Sequence, residues 1–170
     1  MCTQTLWRRL GQTGRPPATV PEPLQHGILL GGWAATAFRY LHHDLVIALN
    51  ESTYLTLVFR LAPRAAFRRH FAIALREALD DLGVPVPVVA AETGALALTP
   101  LARLSNLSMA GTLTDLRYHC ASELRELTDL RAVQLNLNDM PHANRPQPSI
   151  PANAVLELFS LAPRRMPAMY

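Results

Sequence analysis

The chain has 170 residues, 49% of them apolar and 17% charged, and a formal net charge of +3. That is the size of one ordinary unit able to bury its own core. The longest apolar stretch, Gly27 to Phe38, spans about a dozen residues with two glycines inside it, whereas a membrane span needs roughly 20, so no membrane partner is expected.

The start has no basic segment leading into an apolar one. Trp7-Arg8-Arg9-Leu10 runs at once into Gly11, Gly14, Pro16 and Pro17, so nothing directs export and a cytoplasmic location is expected. Cys2 and Cys120 are then expected as free thiols. All sixteen positive charges are arginine, a codon-usage signature of GC-rich bacterial coding. Arg8, Arg9 and Arg15 precede the first acid, Glu22, and account for the whole net charge. The other 13 arginines balance 13 carboxylates, so the body is neutral.

Met1 to Leu10 reads as a short strand turning into a helical turn. Gly11 to Pro23, with four prolines and two glycines, reads as a loop, so residues 1–23 form an entry arm. Thr36–Tyr40, a turn at Leu41–Asp44, Leu45–Leu49, a turn at Asn50–Ser52 and Thr53–Leu61 predict a three-strand antiparallel meander with a central, continuously apolar strand.

Pro63 opens the clearest helix, with Phe67, Phe71, Ala74, Leu75, Ala78 and Leu82 on one face, and Gly83 and Pro85 stop it. Pro85 and Pro87 mark a connector, and Ala95–Leu98 reads as a short strand. Leu113, Leu116, Cys120, Leu124 and Leu127 predict a second helix with Cys120 buried. Val133, Leu135 and Leu137 alternate with Gln134, Asn136 and Asn138, the pattern of a half-buried strand over Arg131–Asn138. A rigid loop through Pro141, Pro146, Pro148 and Pro151 precedes a helix over Ala152–Leu161, and residues 162–170 read as a frayed tail. The expectation is a single α+β domain over 1–161, with an antiparallel sheet of about five strands and helices packed mainly on one face.

Several segments carry a family likeness. They are Cys2-Thr3-Gln4 leading to Leu6 and Leu10, Gly32-Trp33-Ala34-Ala35, the Val46–Asn50 strand with its Asn50-Glu51 turn, and Asn106-Leu107-Ser108-Met109-Ala110-Gly111 leading to Asp115. Leu135-Asn136-Leu137, the Pro141 loop and Ile150-Pro151 extend it. With these, the chain resembles, over roughly residues 1 to 161, a bacterial family catalogued as domain of unknown function six-nine-three-three. The resemblance implies no established activity and no cofactor. Relatives commonly carry a histidine where this chain has Ala34 and an arginine where it has Leu107. If those residues do chemistry in the relatives, this chain has lost it.

Asn106, Ser108, Gly111 and Asp115 form the most specific-looking cluster. Gly111 would allow close backbone approach, and Thr112 or Thr114 would cap a helix whose free N–H groups face an anion. Capping and turn roles explain the same residues, and the spacing fits no phosphate-loop template. Trp33, beside Gly31 and Gly32, reads as a core aromatic before a ligand platform. Neither His42-His43 nor His119-Cys120 can chelate alone, because adjacent residues point apart, so no metal site is expected.

Three functions follow. The first is a non-catalytic binding or accessory module, with no catalytic residues, taking a protein partner or a small anionic ligand near Asn106, Ser108, Gly111, Asp115 and Trp33. The second is a nucleic-acid-associated protein of a mobile-element or toxin–antitoxin type, using Arg60, Arg64, Arg68, Arg69 and Arg76. Later acids and few aromatics count against it. The third is a small hydrolase or transferase using Ser108 or His119, although no nucleophile elbow surrounds Ser108.

Overall fold

The computed structural model describes residues 1–18, 29–98, 100–142 and 149–161. The tail at 162–170, residues 19–23 of the entry arm, and Pro146 and Pro148 lie outside the described residues. The fold is α+β, with one three-stranded antiparallel sheet in the order β1 (Trp33–Tyr40), β2 (His43–Asn50), β3 (Thr56–Arg60). Trp33 pairs with Asn50 and Tyr40 with His43, and then Leu49 pairs with Thr56 and Leu45 with Arg60. The meander is the expected one, but the sheet has three strands among the described residues, not about five.

The helices are α1 (Gln4–Arg9), α2 (Phe67–Asp81, after a short 3-10 turn at Arg64–Ala66), α3 (Val86–Leu98), α4 (Leu107–Glu126), α5 (Leu130–Asp139) and α6 (Pro151–Leu158). They cover both faces of the sheet, which corrects the one-sided expectation. Strand alternation sends Trp33, Ala35, Val46, Ala48, Leu57 and Phe59 to one face. There they join Leu6, Phe67, Phe71, Leu75, Val89 and Val155 in one apolar cluster. Ala34, Phe38, Ile47, Leu49 and Val58 go to the other, against Met109, Leu113, Leu116, Cys120, Val133 and Leu137. Two-sided cover is the physical reason why β2 is apolar without alternation: Leu45 through Asn50 are all buried.

α2 buries the expected stripe except Leu82, which is half-buried while Leu79 is fully buried in its place, and the rings of Trp33 and Phe59 lie 5.3 and 5.5 Å from that of Phe71. Gly83, at φ +75°, ends it, with the Gly83 and Val84 N–H groups donating to the carbonyls of Asp80 and Leu79.

Three elements differ from expectation. Residues 86–98 form one helix, α3, where a connector and a short strand were expected. Pro85 and Pro87 sit where the missing N–H costs nothing, and the Pro85 carbonyl accepts from Val88 and Val89. α4 starts at Leu107, not Leu113, because the Asn106 side chain accepts the Met109 N–H at 3.2 Å and caps it.

The third difference is α5, expected as a strand. Its buried residues are Val133, Gln134, Leu137 and Asn138, the i, i+1, i+4, i+5 set of a helix. Val133 and Leu137 fit either period. The buried amides of Gln134 and Asn138 settle it, because they are inward groups that happen to be polar.

Those two amides close one edge of the sheet. Asn138 accepts the Thr56 N–H at 2.7 Å and donates to the Thr56 carbonyl at 2.8 Å, and Gln134 accepts the Val58 N–H at 3.0 Å. Residues four apart on a helix thus serve groups two apart on a strand. At the opposite edge, the chain start lies against β1. The Ala35 N–H donates to the Met1 carbonyl at 3.0 Å, and the Thr3 N–H to the Ala35 carbonyl at 2.9 Å. Cys2 in turn bridges to Arg103, its N–H donating to Ala102 at 2.6 Å and its carbonyl accepting from Leu104 at 2.9 Å.

Candidate functional site

The α4 cluster separates in three dimensions. Asn106 caps the helix, while Ser108, Gly111 and Asp115 are exposed along it. Ser108 and Asp115 are seven positions apart, about 10 Å along the axis. A Cβ at Gly111 would meet nothing within 4 Å, so no close backbone approach requires this glycine. Thr112 and Thr114 donate back to the carbonyls of Ser108 and Ala110 within the helix and cap nothing. Trp33 is buried on the opposite face of the sheet, packed on Phe71, which rules out a shared site.

Ser108 and His119 lie eleven positions apart on α4, about 16 Å along its axis, so they cannot exchange a proton. Asp115 and His119, one turn apart, do share a small cleft of about 210 Å³ with Thr112 and the Met140–His142 segment. No nucleophile lies among its lining residues apart from the Thr112 hydroxyl, already donating to Ser108. Among the described residues, no three of His, Cys, Asp and Glu are grouped to hold a metal ion. Ala34 is fully buried beneath α4, and Leu107 is 88% exposed on its first turn.

The arginines of the predicted stripe divide among three places. Arg60 lines a cleft between β3, α2 and the start of α5. Arg64 and Arg68 line another, between α1 and the beginning of α2. Arg69 and Arg76, seven residues apart, are exposed on α2 about a quarter turn from Arg68. One continuous track along a nucleic-acid backbone is therefore not formed.

The cleft at Arg64 and Arg68 is the larger, about 600 Å³, within the range of small-molecule sites. Trp7 of α1 and Leu10 at its C-cap form one wall, Phe67, Pro100 and Leu101 give an apolar floor, and Gln12 adds an amide. No carboxylate is among the lining residues. α1 is positioned by the Thr3 cap, which accepts the Leu6 N–H at 3.3 Å, and by an Arg9–Asp44 ion pair to the β1–β2 hairpin. The Trp7 indole N–H donates to the Thr13 carbonyl at 3.1 Å, which fixes the ring at the cleft mouth. Arg68 donates to the Leu96 carbonyl at 3.3 Å, tying the α2 side of the cleft to α3. The spacing of Arg64 and Arg68 was readable as one helix face. Trp7 and Gln12 were not, because only the fold brings the entry arm beside α2.

Elsewhere, titratable groups hold structure. Glu92 is buried on α3, and its carboxylate accepts the N–H groups of Leu29 at 2.7 Å and Leu30 at 3.4 Å. Burial pushes its pKa up, and those two bonds oppose the shift. Both cysteines are free and buried. Burial, with Glu123 nearby, pushes the Cys120 thiol up to about 12, so it is not a nucleophile near neutral pH.

No helix of the described residues is long and apolar enough to cross a membrane. No curated protein and no solved structure is detectably similar to the chain. A family model does match, over residues 1–153; on that match the chain belongs to the family described as Domain of unknown function (DUF6933).

Proposed function

We propose that the chain is a non-catalytic binding module that holds a small anionic ligand in the cleft between α1 and the beginning of α2. One observation carries this: two guanidinium-bearing residues one turn apart, Arg64 and Arg68, line a cleft of about 600 Å³ that has an aromatic wall and no lining carboxylate. Arginine forks pair with oxyanions bidentately, and an apolar floor beside them favours a ligand with a planar or hydrocarbon part. The reading takes the chain to be a cytoplasmic bacterial protein, supported by its arginine-only cations and two free thiols. The absence of any convergent acid, base and nucleophile in this cleft supports binding over chemistry.

Inorganic phosphate, pyrophosphate and phenyl phosphate, titrated while the Trp7 indole N–H resonance is followed, test the proposal. Phenyl phosphate is expected to bind tightest and to move that resonance. Arg64→Ala should weaken it about tenfold, the loss of one charge-assisted bond, with unchanged stability of the free protein. Failure of all three probes to bind at millimolar concentration, or binding indifferent to Arg64→Ala, would overturn the reading.

A further inference from the structure

The cleft between α1 and the beginning of α2 does not end at its floor. Phe67, Arg68, Pro100 and Leu101 line it and also line a second, more enclosed space of about 30 Å³. The inner walls of that chamber include Trp33 and Ala35 of β1, Phe71 of α2 and Leu96 of α3. These four residues are 2 to 7% exposed and none carries a charge, so the cleft continues inward into an apolar end.

Size and chemistry together decide what such a chamber takes. Its volume is about that of one water molecule or one methyl group. A buried water needs two to four polar partners, and the carbonyls of Trp33, Ala35 and Leu96 already accept from Met1, Thr3 and Arg68, so the methyl group is the better fit. Arg68 stands at the junction. It lines both spaces, and its guanidinium donates to the Leu96 carbonyl at 3.3 Å, so an oxyanion held by Arg64 and Arg68 lies beside the mouth of the chamber.

We propose that the chamber receives the end of the ligand's hydrocarbon part, so that the cleft selects an oxyanion bearing a short, unbranched alkyl chain. The inference rests on the anion-binding reading of this cleft and narrows it. The chain runs along the shared floor of Phe67, Pro100 and Leu101, and its terminal methyl group meets the rings of Trp33 and Phe71. An aromatic ring is several times larger than the chamber and stays in the outer cleft beside Trp7. A branched end is refused for the same reason, because overfilling a close-packed site costs more than the added apolar surface returns.

Straight-chain alkyl phosphates from methyl to hexyl, titrated against the intact chain, are the probe. Affinity is expected to rise by up to about fourfold per methylene to a maximum. The analogue of the best chain that ends in a tert-butyl group is more apolar, yet is expected to bind about tenfold more weakly. The terminal methyl of the best chain should show nuclear Overhauser contacts to the rings of Trp33 and Phe71. Ala35→Val fills the chamber from β1 and should flatten the dependence on chain length, whereas Leu96→Ala enlarges it and should admit the branched end. The same chains as carboxylates, run beside the phosphates, show which oxyanion head the arginines take, and the maximum in chain length is expected with either. If neither inorganic phosphate nor any alkyl phosphate binds, the anion site itself is wrong and the chamber has no ligand. If they bind with no dependence on chain length, if the branched end binds tighter, or if the terminal methyl contacts Trp7 instead, the chamber alone is overturned. If Ala35→Val does not fold, the branched analogue and the Overhauser contacts decide the matter on the native chain.

Discussion

At the β1 edge the sheet continues into main chain: Met1–Thr3 and then residues 102–104 bond backbone to backbone. At the β3 edge the same need is met by side chains, since the amides of Gln134 and Asn138 on α5 stand where a strand would be. Both solutions protect an edge that would otherwise recruit other chains. They differ in how they fail. Backbone closure survives most substitutions, because every residue except proline brings the same groups. Side-chain closure rests on Gln134 and Asn138, with the His70 Nδ1 at the Arg60 carbonyl, and it leaves open whatever lies beyond their reach, here the cleft at Val58 and Arg60.

The sharpest way to break the contrast is Asn138→Ala. It strands the N–H and carbonyl of Thr56, which is buried, and is expected to cost about 3 kcal/mol in chemical denaturation. A loss below about 1 kcal/mol would mean that water replaces the amide and the edge is not closed by it. Gln134→Ala strands a single group, the Val58 N–H, and should cost about 2 kcal/mol by the same measurement.

At the β1 edge, Thr3→Ala should cost only about 1 kcal/mol. It removes the cap of α1 and the 2.9 Å contact with the Thr36 hydroxyl but leaves both backbone bonds to Ala35. A cost matching that of Asn138→Ala would erase the distinction between the edges.

The smallest effect is a pH slope at Glu92, whose carboxylate holds Leu29 and Leu30 ahead of β1. Burial raises its pKa above 4.5, so the fold holds this proton more tightly than the unfolded chain does. Its contribution is therefore fully present below the unfolded pKa and is lost as pH rises through the folded one. Glu92→Gln carries no such proton. Denaturation midpoints of the two proteins, followed from about pH 4 to pH 7, should diverge against the native chain as pH rises. Parallel curves would show that the carboxylate is already ionised at no cost.

What the sequence disclosed follows from the same contrast. β1, β2, β3 and α2 were legible because alternation, turns and a helical stripe each act within a short window. α5 was not, because its inward Gln134 and Asn138 imitate the solvent face of a strand, and their partners at Thr56 and Val58 lie some eighty residues away. The two-sided burial of β2 was present in its unbroken apolar run, but an isolated strand cannot say how many layers cover it. The α4 cluster looked like a site because Asn106, Gly111 and Thr112 are turn-forming types, whereas one of them caps a long helix and the others lie inside it. Of the cleft at α1 and α2, half was visible as the Arg64–Arg68 spacing, and the entry-arm half required tertiary structure.

The two thiols lie on opposite sides of the sheet, Cys2 with the α1 and α2 layer and Cys120 under α4. Neither meets an alkylating reagent until its own layer opens. The protein thus contains two independent clocks, and the order in which they are stopped would tell which layer lets go of the sheet first.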